Sequence, residues 1–373
     1  TASMSSSTTS SLSIAAFVVP PITIVAKAPI TITNYQGVAT PAPFQQMITV
    51  NALNYTSYLT YNSNFANFEY LYANGTVIPA WIESNQSDNL ITWVKLAKSI
   101  PASSSITIYL GFTNKTTNLL SSSGTIGIGE APQLSSTYAE YDDGADVFEQ
   151  YWNFLGTTLP SNLKETVYDY GSYTVNNGIT ITASSATEYL EIASTIPVNA
   201  PAVMDGLAVS YSNNGGTPSA FLGLANGSST NSTGYVFMDE LVSGSTANLN
   251  AIKFTTTNPS TVTIANTVLS KNPPLIISVG WNGNNQEFES INYSTPTTAA
   301  NTLYSSSSLY TTVGAFGSNY VATVKWQWWD VRAYPPNGVM PSVSFGSSVS
   351  VSPPQPVYYQ NITIGSWSGA SQP

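Results

Sequence analysis

The sequence predicts an all-β protein, and three observations carry that reading. Short runs in which apolar and polar residues alternate recur along the chain, the period of a strand with one buried face. Turn residues punctuate them, with 25 Gly and 23 Pro among 373 residues, and helical periodicity is missing throughout. The runs are rich in Val, Ile, Thr and Tyr, residue types that pack well on a pleated surface.

Composition narrows the class. Charged residues make up only 8% of the chain and apolar residues 42%, which excludes a disordered polar tract and implies a hydroxyl and amide surface. Such a length is expected to divide into two or three domains. The chain holds no Cys and no His, so disulfide staples are impossible and no unperturbed side chain titrates near neutrality. With 19 acidic and 9 basic residues the net charge is −10, a surface whose ionisation would change little between mild and strong acid. An acidic exterior is therefore the expected setting, weighed against a secreted β protein without that adaptation. No basic stripe is present to neutralise phosphates, so nucleic acid is not an expected partner. No leader with basic and apolar regions is visible before the first strands, and the chain is read as mature.

Taken in order, residues 1–11 form a Ser/Thr-rich lead, and residues 12–26 read LSIAAFVVPPITIVA. In an extended chain Leu12, Ile14, Ala16 and Val18 point one way, and Ala15, Phe17 and Val19 the other. A strand apolar on both faces needs cover on both faces. The run falls short of the ~20 apolar residues of a membrane span, and Pro20-Pro21 would break a helix. Residues 1–28 are thus expected to be an arm carrying an extended apolar strand. From Pro29, PITITN (29–34), FQQMITVNA (44–52), NFEYLY (67–72), AWIES (80–84), ITWVKLA (91–97) and SSITIYLGF (104–112) read as short antiparallel strands. Asn74-Gly75 marks a hairpin. Together they predict an immunoglobulin-like β-sandwich over 29–130.

Residues 113–137 read as a Ser/Thr/Gly-rich connector. Further strands follow at 178–184, 189–194, 206–212, 234–240, 274–282, 285–294 and 321–334, with a hairpin at Trp281-Asn282-Gly283. Many strands over so long a stretch predict a concanavalin/lectin-like jelly roll spanning 131–350. Residues 351–373 are a C-terminal tail with one more strand candidate, 357–367.

The order PITITN, FQQMITV, NFEY with IPAWIES, then WVKL with IPASSSITIYLGF, resembles an archaeal surface-protein module of uncharacterised function. The ending RAYPPNGVMPSVSFGS (332–347) is similar to the close of the lectin-like domain that accompanies that module. The resemblance covers most of 29–347 and begins close to Pro29, which implies that the arm is an addition to the module. With the arm, the chain looks like a larger relative of the subunits of archaeal surface threads joined by donor-strand complementation.

Chemistry-bearing residues are few. Hydrolases that rely on His are excluded. A carboxylate pair remains conceivable, since Glu287 and Glu289 share a face of one strand. The longer acidic motif of lectin-like glycosidases would place another carboxylate where Asn292 stands, and solvent-facing carboxylates are the favoured reading. No enzyme and no cofactor are expected. Asp142, Asp143 and Asp146 form a weak calcium candidate, weighed against a turn rich in Asp and Gly. Trp326 and Trp328, one face of a predicted strand, with Trp329 on the other, are possible glycan contacts, weighed against core packing. Glycosylation candidates in Asn-X-Ser/Thr triplets are Asn54, Asn74, Asn85, Asn114, Asn226, Asn231, Asn292 and Asn361.

The arm weighs most. It could fold back onto its own domain, anchor to a membrane, or add a strand to a neighbour. Burying about ten apolar side chains at ~1.5–3 kcal/mol each favours an insertion. The expectation is an extracellular, cell-surface filament of identical copies, joined through Leu12, Ile14, Ala16, Phe17, Val18, Val19, Ile22 and Ile24 as the donor strand. A monomeric adhesin binding surface glycans is the alternative, and a carboxylate glycosidase a more distant one. Neither requires a membrane span in the mature chain.

Overall fold

The computed structural model describes residues 23–351, apart from 60–64, 86–87, 169–170, 184–188, 216–218, 226–233, 243–245, 255–259, 263–268, 271–272, 301–307 and 318–319. Its architecture is all-β. The first eight strands are β1 (Ala26–Asn34), β2 (Phe44–Asn51), β3 (Phe68–Leu71), β4 (Val77–Ile78), β5 (Ala80–Ser84), β6 (Asn89–Leu96), β7 (Ser104–Phe112) and β8 (Gly129–Glu130). One short helical turn, α1 (Gly144–Val147), precedes β9 (Gln150–Trp152), β10 (Leu163–Tyr168), β11 (Gly171–Val175), β12 (Ile179–Ala183), β13 (Tyr189–Ser194) and β14 (Val198–Asn199). Then come β15 (Ala202–Asn213), β16 (Ser219–Ala225), β17 (Gly234–Val242), β18 (Thr246–Phe254), β19 (Ser260–Val262), β20 (Leu269–Ser270), β21 (Leu275–Trp281), β22 (Gln286–Ile291) and β23 (Thr297–Ala300). The last four are β24 (Ser308–Phe316), β25 (Ala322–Ala333), β26 (Ser342–Phe345) and β27 (Val349–Ser350).

Four sheets pair into two sandwiches. In the first, the order β26-β1-β7-β3-β4 faces the order β2-β6-β5-β8. Ile30 and Ile32 of β1, Ile48 and Val50 of β2, Val94 and Leu96 of β6, and Ile108 and Leu110 of β7 all bury in one core. The alternation predicted for these strands is what brings every second residue inward. The Asn74-Gly75 hairpin forms as expected: Gly75 adopts φ +85°, and the Asn74 side chain accepts a bond from the Thr76 N–H at 3.0 Å.

In the second sandwich, β10-β13-β24-β16-β17-β18-β19 faces β11-β12-β25-β15-β21-β22-β23. Non-consecutive neighbours such as β12-β25-β15 give the crossed-over order of a jelly roll. Ile179, Leu190, Met204, Leu222, Ile277, Val313, Trp326 and Trp329 lie in its core.

Two expectations need correction. The strands at Ser342–Phe345 and Val349–Ser350 do not belong to the second unit but pair with β1 of the first. The chain thus returns to the sandwich it started from. Within the connector 113–137, β8 pairs in parallel with β5 of the first sandwich. Finally, the last part of the predicted donor segment is built into its own sandwich. Val25 donates its N–H to Phe112 and its carbonyl accepts from Val351, and Ala26 opens β1 opposite Phe112. The cause is that β7 runs to Phe112 and offers backbone partners there, while Gly111 lacks a side chain where Ile24 lies.

Candidate functional site: the cleft between the sandwiches

The two sandwiches are joined by an aromatic cluster formed from Trp81, Trp93, Phe148 and Trp328, all buried. Trp81 meets Trp328 edge-on at 5.2 Å between ring centroids and Phe148 at 5.3 Å, geometries favoured by the ring quadrupole. The position of Trp328 depends on irregular pairing in β25: its register with β15 shifts between Gly206 and Ala208 and again between Ala208 and Ser210. An extra residue in one strand breaks the alternation of faces. Trp326 and Trp329 therefore both enter the second core, and Trp328 turns to the joint. This overturns the expected pairing of Trp326 with Trp328. Both rings are fully buried, so neither is presented to a glycan.

Beside the cluster lies a row of polar groups on the same face of the sheet. Asp205 on β15 stands opposite Asp330 on β25 and Ser278 on β21, and Ser278 stands opposite Ser290 on β22. Arg332, two residues beyond Asp330, pairs with Asp205 through Nε at 2.5 Å and Nη2 at 3.3 Å. Its guanidinium also lies 5.0 Å from the Trp93 ring centroid, within reach of a cation–π attraction. From the first sandwich, Glu83 accepts hydrogen bonds from Trp93 Nε1 at 2.8 Å and from the Tyr293 hydroxyl.

Burial dominates the electrostatics. It pushes the Glu83 carboxyl up to about 7, against the pull of its Tyr293 and Trp93 hydrogen bonds. Asp330 is held well above the ordinary carboxylate range by burial first and by the Asp205 charge second. Burial opposes the charge on Arg332, and the Asp205 carboxylate more than restores it. The Arg332 guanidinium is thus matched by the Asp205 carboxylate it pairs with.

A cavity of about 380 Å³ opens against this row, with Arg332, Ser278 and Phe288 on one side, Trp93 and Met47 on the other, and Val339 at the rim. Arg332 Nη1 and Ser278 Oγ are buried and have no hydrogen-bond partner among the described residues. The cleft thus has largely apolar walls, with these two unpartnered atoms buried behind them. Sequence reasoning missed it, although one signal was present: Arg332 is the only arginine in the chain.

The remaining candidates disperse. Asp142 accepts bonds from Trp81 Nε1, the Tyr151 hydroxyl and Asn153 Nδ2 at 2.9, 2.9 and 2.7 Å. Asp143 is buried and pushed up to about 9 by burial and by the Asp142 and Asp146 charges. Asp146 accepts from the Gly124 N–H at 2.7 Å. The calcium candidate is thereby split into separate structural roles, and no group of three carboxylates among the described residues is arranged to hold an ion. Glu287 and Glu289 do share a face. It is the inward one, opposite Trp281 and Val279, and both are fully buried, which corrects the solvent-facing reading. Asn54, Asn74, Asn114 and Asn292 are exposed and Asn85 is half-buried. Asn226, Asn231 and Asn361 lie outside the described residues, as do Leu12, Ile14, Ala16, Phe17, Val18, Val19 and Ile22 and the strand candidate at 357–367. Ile24 is half-buried against Gly111.

Comparison with known proteins adds the following. No family model matches the chain. Uncharacterized protein 562 of Sulfolobus islandicus rod-shaped virus 1 is 30% identical over 341 residues, covering 84% of this chain and 58% of that protein. The chain thus spans 58% of that relative's length. Among solved structures, an endo-β-1,3-glucanase from Pyrococcus furiosus aligns with a TM-score of 0.36 at 8% identity, over 50% of this chain and 94% of that one. β-Agarase A from Zobellia galactanivorans aligns with a TM-score of 0.35 at 11% identity, over 49% and 90%. The Emp47p carbohydrate recognition domain aligns with a TM-score of 0.35 at 9% identity, over 48% and 92%.

Proposed function

We propose that the chain is a structural subunit of an extracellular filament, in which the apolar segment 12–22 of one copy adds a strand to a sheet edge of the next. The observation that carries this reading is the state of β1. It is paired along all nine residues with β7 and flanked on its other side by β26 and β27, so the described sandwich is built without any residue before 23. The segment that precedes it is apolar on both faces, and such a strand gains most by entering a sheet that lacks one.

Edges are available to receive it. β7 pairs with β3 only through its last four residues, Tyr109–Phe112, which leaves Ser104–Ile108 without a strand on that side among the described residues. Among the described residues β2 likewise pairs only with β6. Head-to-tail addition at such an edge is a heterologous contact that propagates into a fibre. The reading involves no catalysis. It is supported there by the burial of Glu287 and Glu289, which leaves that carboxylate pair out of reach of a substrate.

The root of the arm suits a load-bearing link. Tension applied at residue 22 enters β1 along its axis, against ladders on both sides that must break together. Deletion of residues 1–22 tests the reading. Negative-stain electron microscopy of the secreted full-length chain is expected to show threads, and the truncated chain only monomers. Threads from the truncated chain would overturn it.

A further inference from the structure

We propose that residues 12–19 pair antiparallel with residues 357–364 of the same chain, so that the arm reaches a neighbour as one strand of a two-stranded ribbon. The pairing follows from the edge of β1, and the reach to a neighbour rests on the filament reading. Ala26 stands opposite Ser350 and Lys27 opposite Val349. The ladder does not stop where β1 begins, because the Val25 carbonyl accepts the N–H of Val351 at 2.8 Å. The chain thus enters and leaves the first sandwich at neighbouring points, in antiparallel directions.

Carried onward without a slip, that register sets Leu12 opposite Ile364, Ile14 opposite Ile362 and Val18 opposite Tyr358, all on one face because strand side chains alternate. The other face receives Phe17 opposite Tyr359 and Ser13 opposite Thr363. Apolar meets apolar, ring meets ring and hydroxyl meets hydroxyl, the pairings that stabilise neighbouring strands. A slip of one residue would set Leu12 and Ile14 opposite Thr363 and Asn361, or opposite Gly365 and Thr363, and lose this match. The register found beside β1 is therefore the one that the two outer sequences favour.

The prolines agree with it. Pro20 falls opposite Pro356, and Ile22 opposite Pro354. Proline donates nothing to a ladder, so both strands are interrupted at one height and a joint separates ribbon from sandwich. A two-stranded ribbon is marginal by itself in water, and a face carrying Leu12, Ile14, Val18, Ile362 and Ile364 needs cover. In the filament a second copy supplies it. The glycosylation candidate Asn361 falls on the opposite face, away from that contact.

The absence of cysteine makes disulfide trapping clean. In this register A16C and Q360C stand directly opposite, within the span of a disulfide. The control, A16C with Y359C, puts the second thiol on the other face. For each double variant, copies labelled with heavy nitrogen are mixed with unlabelled copies before assembly, oxidised, and read by mass spectrometry of the linked peptides. The expected result is threads with about ten-fold more linked peptide from A16C/Q360C than from the control, joined within one chain. Threads whose linked peptides combine heavy and light halves, or show no excess over the control, would overturn the ribbon and leave the filament reading intact. Monomers carrying the link within one chain would overturn the filament reading and leave the pairing standing. Monomers without it would overturn both.

Discussion

Arg332 shows how much one residue's surroundings decide. Its guanidinium is buried, bonded to Asp205 and stacked near Trp93. Removing one partner of such a pair leaves an uncompensated charge, a larger penalty than removing both. Replacing Arg332 by Met is therefore expected to lower the unfolding free energy by about 3–5 kcal/mol, read from urea midpoints. The double variant with Asp205→Asn should recover part of that loss. Equal loss in single and double variants would mean that the pair is not what holds the joint. Little of this was legible in the sequence. A lone Arg two residues after an Asp on an alternating strand points to one face. That the face meets a second sandwich depends on packing between residues more than a hundred positions apart.

At the level of elements, local rules worked well where they operate over few residues. The hairpin at Asn74-Gly75 was readable because φ +85° at Gly75 is a conformation that L residues adopt at a cost. Gly75→Ala is expected to destabilise by about 1 kcal/mol for that reason, with no change in fold by circular dichroism. Alternation likewise located β1, β2, β6 and β7 to within a few residues. It failed in β25. Reading strict alternation through WQWWDVRA placed Trp326 and Trp328 together, whereas the register shifts put Trp326 with Trp329. A bulge responds to the partner strand, so no single-strand pattern announces it. Trp328→Ala should consequently act on the joint, where Trp81 and Phe148 would face a void, and lower stability by about 3–5 kcal/mol. A loss below about 1 kcal/mol by denaturant titration would show that the ring is not packed there.

On the scale of the whole molecule, the carboxyl groups point one way. Glu69, Glu83, Glu130, Asp142, Asp143, Glu149, Glu191 and Asp330 are all raised, with burial the largest cause in each. A carboxyl raised on folding favours the folded state when it is protonated. Its contribution is fully present below the unfolded value, 4.5 for Glu and 3.8 for Asp, and is lost as pH rises through the folded value. For Glu83 and Glu191 that value is about 7, and for Asp143 about 9. The melting temperature is accordingly expected to rise as pH falls from 8 to 4, the direction suited to an acidic exterior. Glu83→Gln, which fixes the neutral form, should flatten the part of that profile below pH 7. A melting temperature that falls on acidification would contradict the account.

By itself the sequence determined the all-β class, the two-sandwich division and many strand positions, because strand periodicity and turn chemistry are written over a handful of neighbouring residues. Tertiary structure alone decided that residues 342–350 return to β1, that Trp328 joins the sandwiches, and that Arg332 pairs with Asp205 beside a cleft between them. Those outcomes come from pairing and packing between distant segments, and the free energy that selects them belongs to the contact rather than to either segment.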